Sequence, residues 1–343
     1  ITTSSQAPYT VRKQLSDAFA IPSGKIQVNV PLVGGGFGGK AAVSLEILAF
    51  LASRSVGGRA VNLTISREQD MASAPCRIGL EADIKLGVSK DGTIQAARMT
   101  CWLDCGAYTD IAPYMTKAIA VDCTGPYHIE HLSCEALCVY TNHTYATSYR
   151  SFAHESCTFC VERVMDMAAR KCGIDPLKFR IQNAIRPGNL TPSRVLCTSS
   201  LMGDLTACLN KVKPLSEWDG GGPVTIKRDI VRAKGAACFW KTENPPTDAI
   251  SGAMITFNPD GSVNLNTGVV EMGSGGQTNL AQILAERLRI PPEQVHVVMP
   301  VDTRTAPEHW KTVASLTEYM AGHAVLRAAD DAINQLRSNG AQA

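Results

Sequence analysis

Gly34-Gly35-Gly36-Phe37-Gly38-Gly39 sets one bulky ring inside a run of glycines. Main-chain N–H groups crowded ahead of a helix favour an anion, whatever molecule carries it. The run satisfies G-x-G-x-x-G at Gly34, Gly36 and Gly39, and G-x-x-x-x-G-K at Gly34, Gly39 and Lys40. Neither dinucleotide nor triphosphate chemistry follows from such spacing alone. Magnesium triphosphate needs a hydroxyl after the lysine, and Ala41 has none. A dinucleotide needs an acid about 20 residues on, and Ser66-Arg67-Glu68 brings it late. A generic phosphate cradle remains, or a tight structural turn. Phe37 weighs against the bare turn, because a ring there suggests a side chain aimed at something. Gly273-Ser274-Gly275-Gly276 is a second glycine loop between an expected strand and an expected helix. Two such loops suggest a large polar cofactor held between two domains, mostly by main-chain amides.

Other reactive side chains make weaker patterns. Cys157-x-x-Cys160 and Cys134-x3-Cys138 are the closest of 12 cysteines, and neither completes a zinc or iron–sulfur ligand set. They read as small buried residues kept reduced in a cell interior. His128, His131, His143 and His154 are scattered and read as surface or hydrogen-bonded core residues, with His154 and Glu155 near enough to Phe152 to support it. Ser4, Ser5 and Ser151 belong to no Ser-His-Asp set.

The elements that must carry these residues follow from periodicity. Helices are expected at 8–20, 41–53, 155–171, from Asp175-Pro176 onward, at 277–288 and near 320–338; strands at 25–30, 60–66, 252–257 and 262–269. Asp91-Gly92 marks a hairpin within 84–97, and 99–108 extends its sheet. Leu15–Val30 and Leu284–Met299 echo one another as helix, Ile-Pro, turn and strand, one in each expected domain. The mixture without strict alternation indicates an α+β fold of two mixed α/β domains. The glycine-rich 219–223 divides them into 1–218 and 219–343. Lys plus Arg number 33 and Asp plus Glu 31, a net charge of +2, with 45% apolar residues. This balance excludes disorder and gives nucleic acid no concentrated basic surface. No apolar run is long enough for a membrane helix. The chain starts at Ile1 without Met, which suggests a processed subunit or a piece of a longer polypeptide.

Val33–Lys40, Tyr149-Arg150-Ser151-Phe152, Cys172-Gly173-Ile174-Asp175-Pro176-Leu177, Glu271-Met272-Gly273-Ser274-Gly275 and Val313–Thr317 occur in the order used by molybdenum hydroxylases. The chain resembles the molybdopterin-binding large subunit of this xanthine dehydrogenase/aldehyde oxidase family over nearly its whole length. The resemblance implies cofactor contacts from Gln6, Gly36, Phe37, Gly38, Arg150, Gly273, Ser274, Val313, Ala314, Ser315, Leu316 and Thr317. It implies an aromatic ring, Phe152, against a flat substrate. It implies a metal held by the pterin itself, near Gln6 and Phe37.

The resemblance also implies molybdopterin, often in its cytosine dinucleotide form, and electron transfer to iron–sulfur and FAD centres on partner chains. Purine-oxidising members carry Glu where this chain has Ala41, and Arg near Lys117, so purine is not the expected substrate; an aldehyde or heteroaromatic is. Carbon monoxide dehydrogenases insert a Cys that Arg150-Ser151-Phe152 lacks. The family's Gly-x-Gly-Glu base lies beyond this chain, so a second molybdopterin subunit or missing segment is expected to supply it. A cytoplasmic location is expected. A non-catalytic cofactor-binding subunit and a phosphate-binding nucleotide enzyme are the alternatives.

Overall fold

The computed structural model describes residues 1–242 and 248–340. In chain order the elements are α1 (Pro8–Phe19), β1 (Asn29–Val30), α2 (Glu46–Ser55), α3 (Arg67–Ser73), β2 (Cys76–Arg77), β3 (Gly79–Val88), β4 (Ile94–Gly106), α4 (Ala112–Asp122), β5 (His131–Tyr140), β6 (Ala146–Thr147), α5 (His154–Cys172), α6 (Pro176–Asn183), α7 (Leu205–Leu215), β7 (Val224–Lys227), β8 (Ile230–Arg232), β9 (Ala253–Phe257), β10 (Val263–Thr267), α8 (Gly276–Leu288), β11 (Val295–Val297), β12 (Val301–Asp302) and α9 (Gly322–Gly340). Helices and strands mix as an α+β fold requires.

The chain forms two compact units: 1–74 with 243–343, and 75–242. The expected cut after residue 218 is therefore not where the compact units divide. The reason is a non-local pairing: β1 bonds antiparallel to β12, Val30 opposite Val301, and draws both chain ends into one unit. Val11, Leu15, Val28, Val30, Val270 and Val301 bury one core there. A second core lies where α8 and α9 cover the sheet β9-β10-β11, with Leu265, Leu280, Leu284 and Val325 fully enclosed.

The echo is real, but both copies sit in this one unit. α1 and α8 each end on a left-handed residue, Ala20 and Arg289. Each then runs Ile-Pro into one 3₁₀ turn, at Ser23–Lys25 and Pro292–Gln294, and into a strand. That turn takes Lys25, and of the strand expected at 25–30 only Asn29–Val30 pairs. The helix expected from Ala41 starts at Glu46, because residues 37–42 turn and Glu46 bonds back to the Ser44 N–H, 3.0 Å. The strand expected at 60–66 joins no sheet.

In the middle unit β3 and β4 form the expected hairpin, with Gly92 at φ +89 and Asp91 Oδ1 accepting the Thr93 N–H, 3.2 Å. β5 lies parallel to β4, and α4 makes the crossover that a parallel pair needs. Met99, Cys101, Leu103, Met115, Ile119, Val161, Met165 and Phe179 fill the core between this sheet and helices α4 to α6. Arg180 is wholly buried, bonded to Glu162 (2.8 Å) and Asp166 (2.9 Å).

Candidate functional site

Gln6 precedes α1 and is 1% exposed. Its Oε1 accepts the Gly38 N–H at 2.9 Å, and its Nε2 donates to the Thr312 carbonyl at 2.9 Å. Its own N–H donates to Lys40 O, and its carbonyl accepts the Thr312 N–H, both at 2.9 Å. One side chain thus joins the first glycine loop to the segment before Val313. A Cβ on Gly36 would stand 2.4 Å from Gln6 Cδ, so only glycine fits. Gly35, Phe37 and Gly38 all have positive φ, and the Phe37 ring is 53% exposed. Ala41 is buried.

The second loop begins beside the first. The Val33 N–H donates to Glu271 O at 3.0 Å. The Glu271 carboxylate then accepts the N–H groups of Gly273 (2.8 Å), Gly275 (3.1 Å) and Gln277 (3.3 Å). This amide nest at the start of α8 is filled by the chain's own carboxylate, so it is no open phosphate cradle; Ser274 stays exposed. Both glycine loops belong to one compact unit, so they do not face each other across two domains.

Thr312 was not singled out from the sequence, yet it is the joint. It is fully buried, and its Oγ1 also accepts the Val270 N–H at 2.9 Å. Val313–Thr317 continues directly from it. Ala314 (φ +44) and Ser315 are exposed, whereas Leu316 and Thr317 are buried. His309, three residues earlier, bonds Ser251 Oγ at 3.0 Å through Nδ1, and its Nε2 meets no partner among the described residues. Burial pushes its pKa down to about 4.

Arg150, Phe152 and Lys117 lie in the other unit. Ser151, Phe152 and Ala153 hold φ of +86, +62 and +69, three successive non-glycine residues in a disfavoured region. His154 pins them. Its Nδ1 bonds Ser151 O (3.0 Å) and Phe152 O (3.1 Å), and its Nε2 bonds Asp122 Oδ2 (2.8 Å). Asp122 is fixed in turn by the Thr242 N–H at 3.0 Å and the Thr242 hydroxyl. His154 does support Phe152, as its proximity suggested; Asp122, distant in sequence, carried no signal. The Arg150 carbonyl accepts from Arg77 Nη1 at 3.0 Å, and Arg77 also pairs with Glu155 and covers the Tyr149 ring. Phe152 packs partly on the core, and Lys117 is exposed on α4. Cys101, Cys123 and Cys134 pack together in the core of this unit.

The molybdopterin cofactor-binding domain profiles match residues 1–184 and 211–343. The chain belongs to the molybdopterin-binding molybdenum hydroxylase family. It is 31% identical over 336 residues to a xanthine dehydrogenase molybdenum-binding subunit of Escherichia coli O157:H7, covering 96% of this chain and 44% of that protein. It is 25% identical over 349 residues to human aldehyde oxidase, covering 97% and 25%. Among solved structures, quinoline 2-oxidoreductase from Pseudomonas putida 86 superposes with a TM-score of 0.83 at 24% identity, over 96% of this chain and 44% of that one; it shares the fold. The chain thus spans less than half the length of these relatives.

The donor set fits a polar, anionic pterin. Around Gly36–Gly38 the chain offers main-chain N–H groups and an amide side chain, and the missing Cβ at Gly36 lets the loop close on Gln6. Gln6 Nε2 keeps a second hydrogen beyond its bond to Thr312. No helix among the described residues is long and apolar enough to cross a membrane.

Proposed function

We propose that this chain is the molybdopterin-binding part of a hydroxylase that oxidises an electron-poor carbon of a heteroaromatic or aldehyde with oxygen derived from water. The observation that carries the reading is the buried Gln6 clamp on Gly38 and Thr312. When bound, the cofactor supplies a metal that lowers the pKa of an oxygen ligand and accepts electrons. The chain's own residues position and enclose it. Gln6 and Gly36–Gly38 hold the metal end. In the same unit, Ser274 and Val313–Thr317 contact the pterin and its phosphate region, in the cytosine dinucleotide form. The His154-pinned loop orients Phe152, whose ring aligns a flat substrate. Ala41 leaves no carboxylate for a purine.

The family's Gly-x-Gly-Glu run does not occur in this sequence. The reading therefore assigns the proton-abstracting Glu to another segment or subunit, and electron transfer to iron–sulfur and FAD partner chains in the cytoplasm. The test is to isolate the native assembly through this chain and measure molybdenum, released pterin nucleotide and turnover of aldehydes and N-heterocycles. Molybdenum with turnover is expected. Molybdenum without any turnover favours the non-catalytic subunit, and absence of both metal and pterin sinks the proposal.

A further inference from the structure

Cys76, Asp104 and His143 are far apart in sequence and meet within the middle unit. The pairing of β2 with β6 sets Cys76 opposite Ala146, and the Cys76 N–H donates to Tyr145 O at 3.2 Å. The Cys76 thiol is free and half-buried, and its Sγ lies 3.9 Å from His143 Nδ1. On the far side of the ring, His143 Nε2 is 2.7 Å from Asp104 Oδ2. Asp104 is held in turn, because its Oδ1 accepts the Gly106 N–H at 3.0 Å and the Thr141 hydroxyl. Thiol, imidazole and carboxylate thus stand in line, and the acid that orients the ring is itself fixed. This is the order that nucleophilic catalysis by a thiol requires.

A thiol reacts as its thiolate, and a positive ring beside it favours that form. His143 Nδ1 also meets the Thr144 carbonyl, and that contact together with the Asp104 carboxylate raises the ring's pKa. The resting S–H has two further acceptors, Thr144 O at 3.8 Å and Tyr145 O at 4.0 Å. Both contacts are long, so the sulfur loses little in turning to the ring. Arg77, the next residue, directs its guanidinium to Glu155 and the Arg150 carbonyl instead. His143 is exposed, so a small molecule reaches the sulfur from solvent.

We propose that Cys76 is a reactive thiol that exchanges with small disulfides of the glutathione disulfide type, with His143 beside its sulfur and Asp104 orienting His143. The Cys76 thiolate, its proton released to water, attacks one sulfur of the disulfide. A bond forms between Cys76 and that glutathione, the original S–S bond breaks, and the second glutathione leaves as a thiolate that takes a proton from water. Cys76 is oxidised and the small disulfide reduced. The adduct stands one residue before Arg77, which supports the Arg150 carbonyl and covers the Tyr149 ring, so the exchange sets a redox mark beside the loop that carries Phe152.

The complete protein, purified from its source and reduced, is given glutathione disulfide at neutral pH, and adducts are followed over time by peptide mass spectrometry. Cys76 should gain glutathione at least about tenfold faster than Cys208, the exposed cysteine on α7. His143→Gln and Asp104→Asn should each slow Cys76 by about tenfold and leave the Cys208 rate unchanged. A Cys76 rate no faster than that of Cys208 overturns the proposal, as does a fast rate that survives both variants. The readout needs neither molybdenum nor turnover, so its outcome is separate from that of the proposed function.

Discussion

The two glycine loops leave adjacent main chain, tied by the Val33 bond to Glu271, yet they are organised by different chemistry. The first closes over Gln6, a neutral amide with an acceptor turned to Gly38 and a donor turned to Thr312. The second wraps a carboxylate at a helix start. A buried anchor with a fixed direction demands close approach, which is why Gly36 has no space for a side chain. A half-exposed charge demands only amides that point inward. Gly273 and Gly275 therefore answer to backbone conformation, with φ of +93 and +75, and a Cβ on either meets nothing within 4 Å.

The largest expected effect tests the neutrality of the first anchor. Gln6→Glu keeps an acceptor for Gly38 but turns an oxygen toward the Thr312 carbonyl in a buried place. Urea unfolding at pH 7 should show a loss of about 3–5 kcal/mol. The new carboxyl's folded pKa is raised, since its protonated form can donate to Thr312. The deficit should thus narrow as the pH falls; no loss at pH 7 would break the comparison.

Next comes His309, which leads into the first anchor's partner segment. Its folded pKa, about 4, lies below the usual 6.5 because burial disfavours the charged ring. Between these values the unfolded chain binds more protons, so stability is full above pH 6.5 and is lost as pH falls toward 4. The contribution is about 3 kcal/mol. The urea midpoint should fall across this window, and His309→Gln should flatten the slope.

The loops then separate by substitution. Gly36→Ala should cost about 1–3 kcal/mol through overpacking on Gln6. Gly273→Ala should cost about 1 kcal/mol, from its positive φ alone. Equal costs would mean that the first loop yields as easily as the second. The smallest effect is that of Glu271→Gln. It keeps an acceptor but loses charge at the head of α8, for about 0.5–1 kcal/mol that diminishes with added salt.

Much of this was legible from residues alone, where the cause is local. Asp91-Gly92 announced its hairpin, Asp175-Pro176 capped and started α6, and the Ile-Pro echo foretold two equivalent turns. Both glycine loops were visible too. What the sequence hid depends on distant partners. Nothing near Glu271 says that its side chain folds back on Gly273, and nothing near Thr312 says that Gln6 bonds to it. The compact units were hidden for the same reason, because Val30 and Val301 pair across most of the chain. The strand signal at 60–66 was sound in composition but finds no sheet here, since pairing needs a second strand.

The outer unit is built from the two separated stretches that flank 75–242. A ribosome adds about 5–20 residues per second. Residues 1–74 therefore emerge roughly ten seconds or more before β12 exists to close on β1, while the middle unit has all of its own residues. Early in synthesis Gln6 and its glycine neighbours are left without Thr312. The nascent chain thus spends that interval with its first glycine loop open, before the strand that anchors it exists.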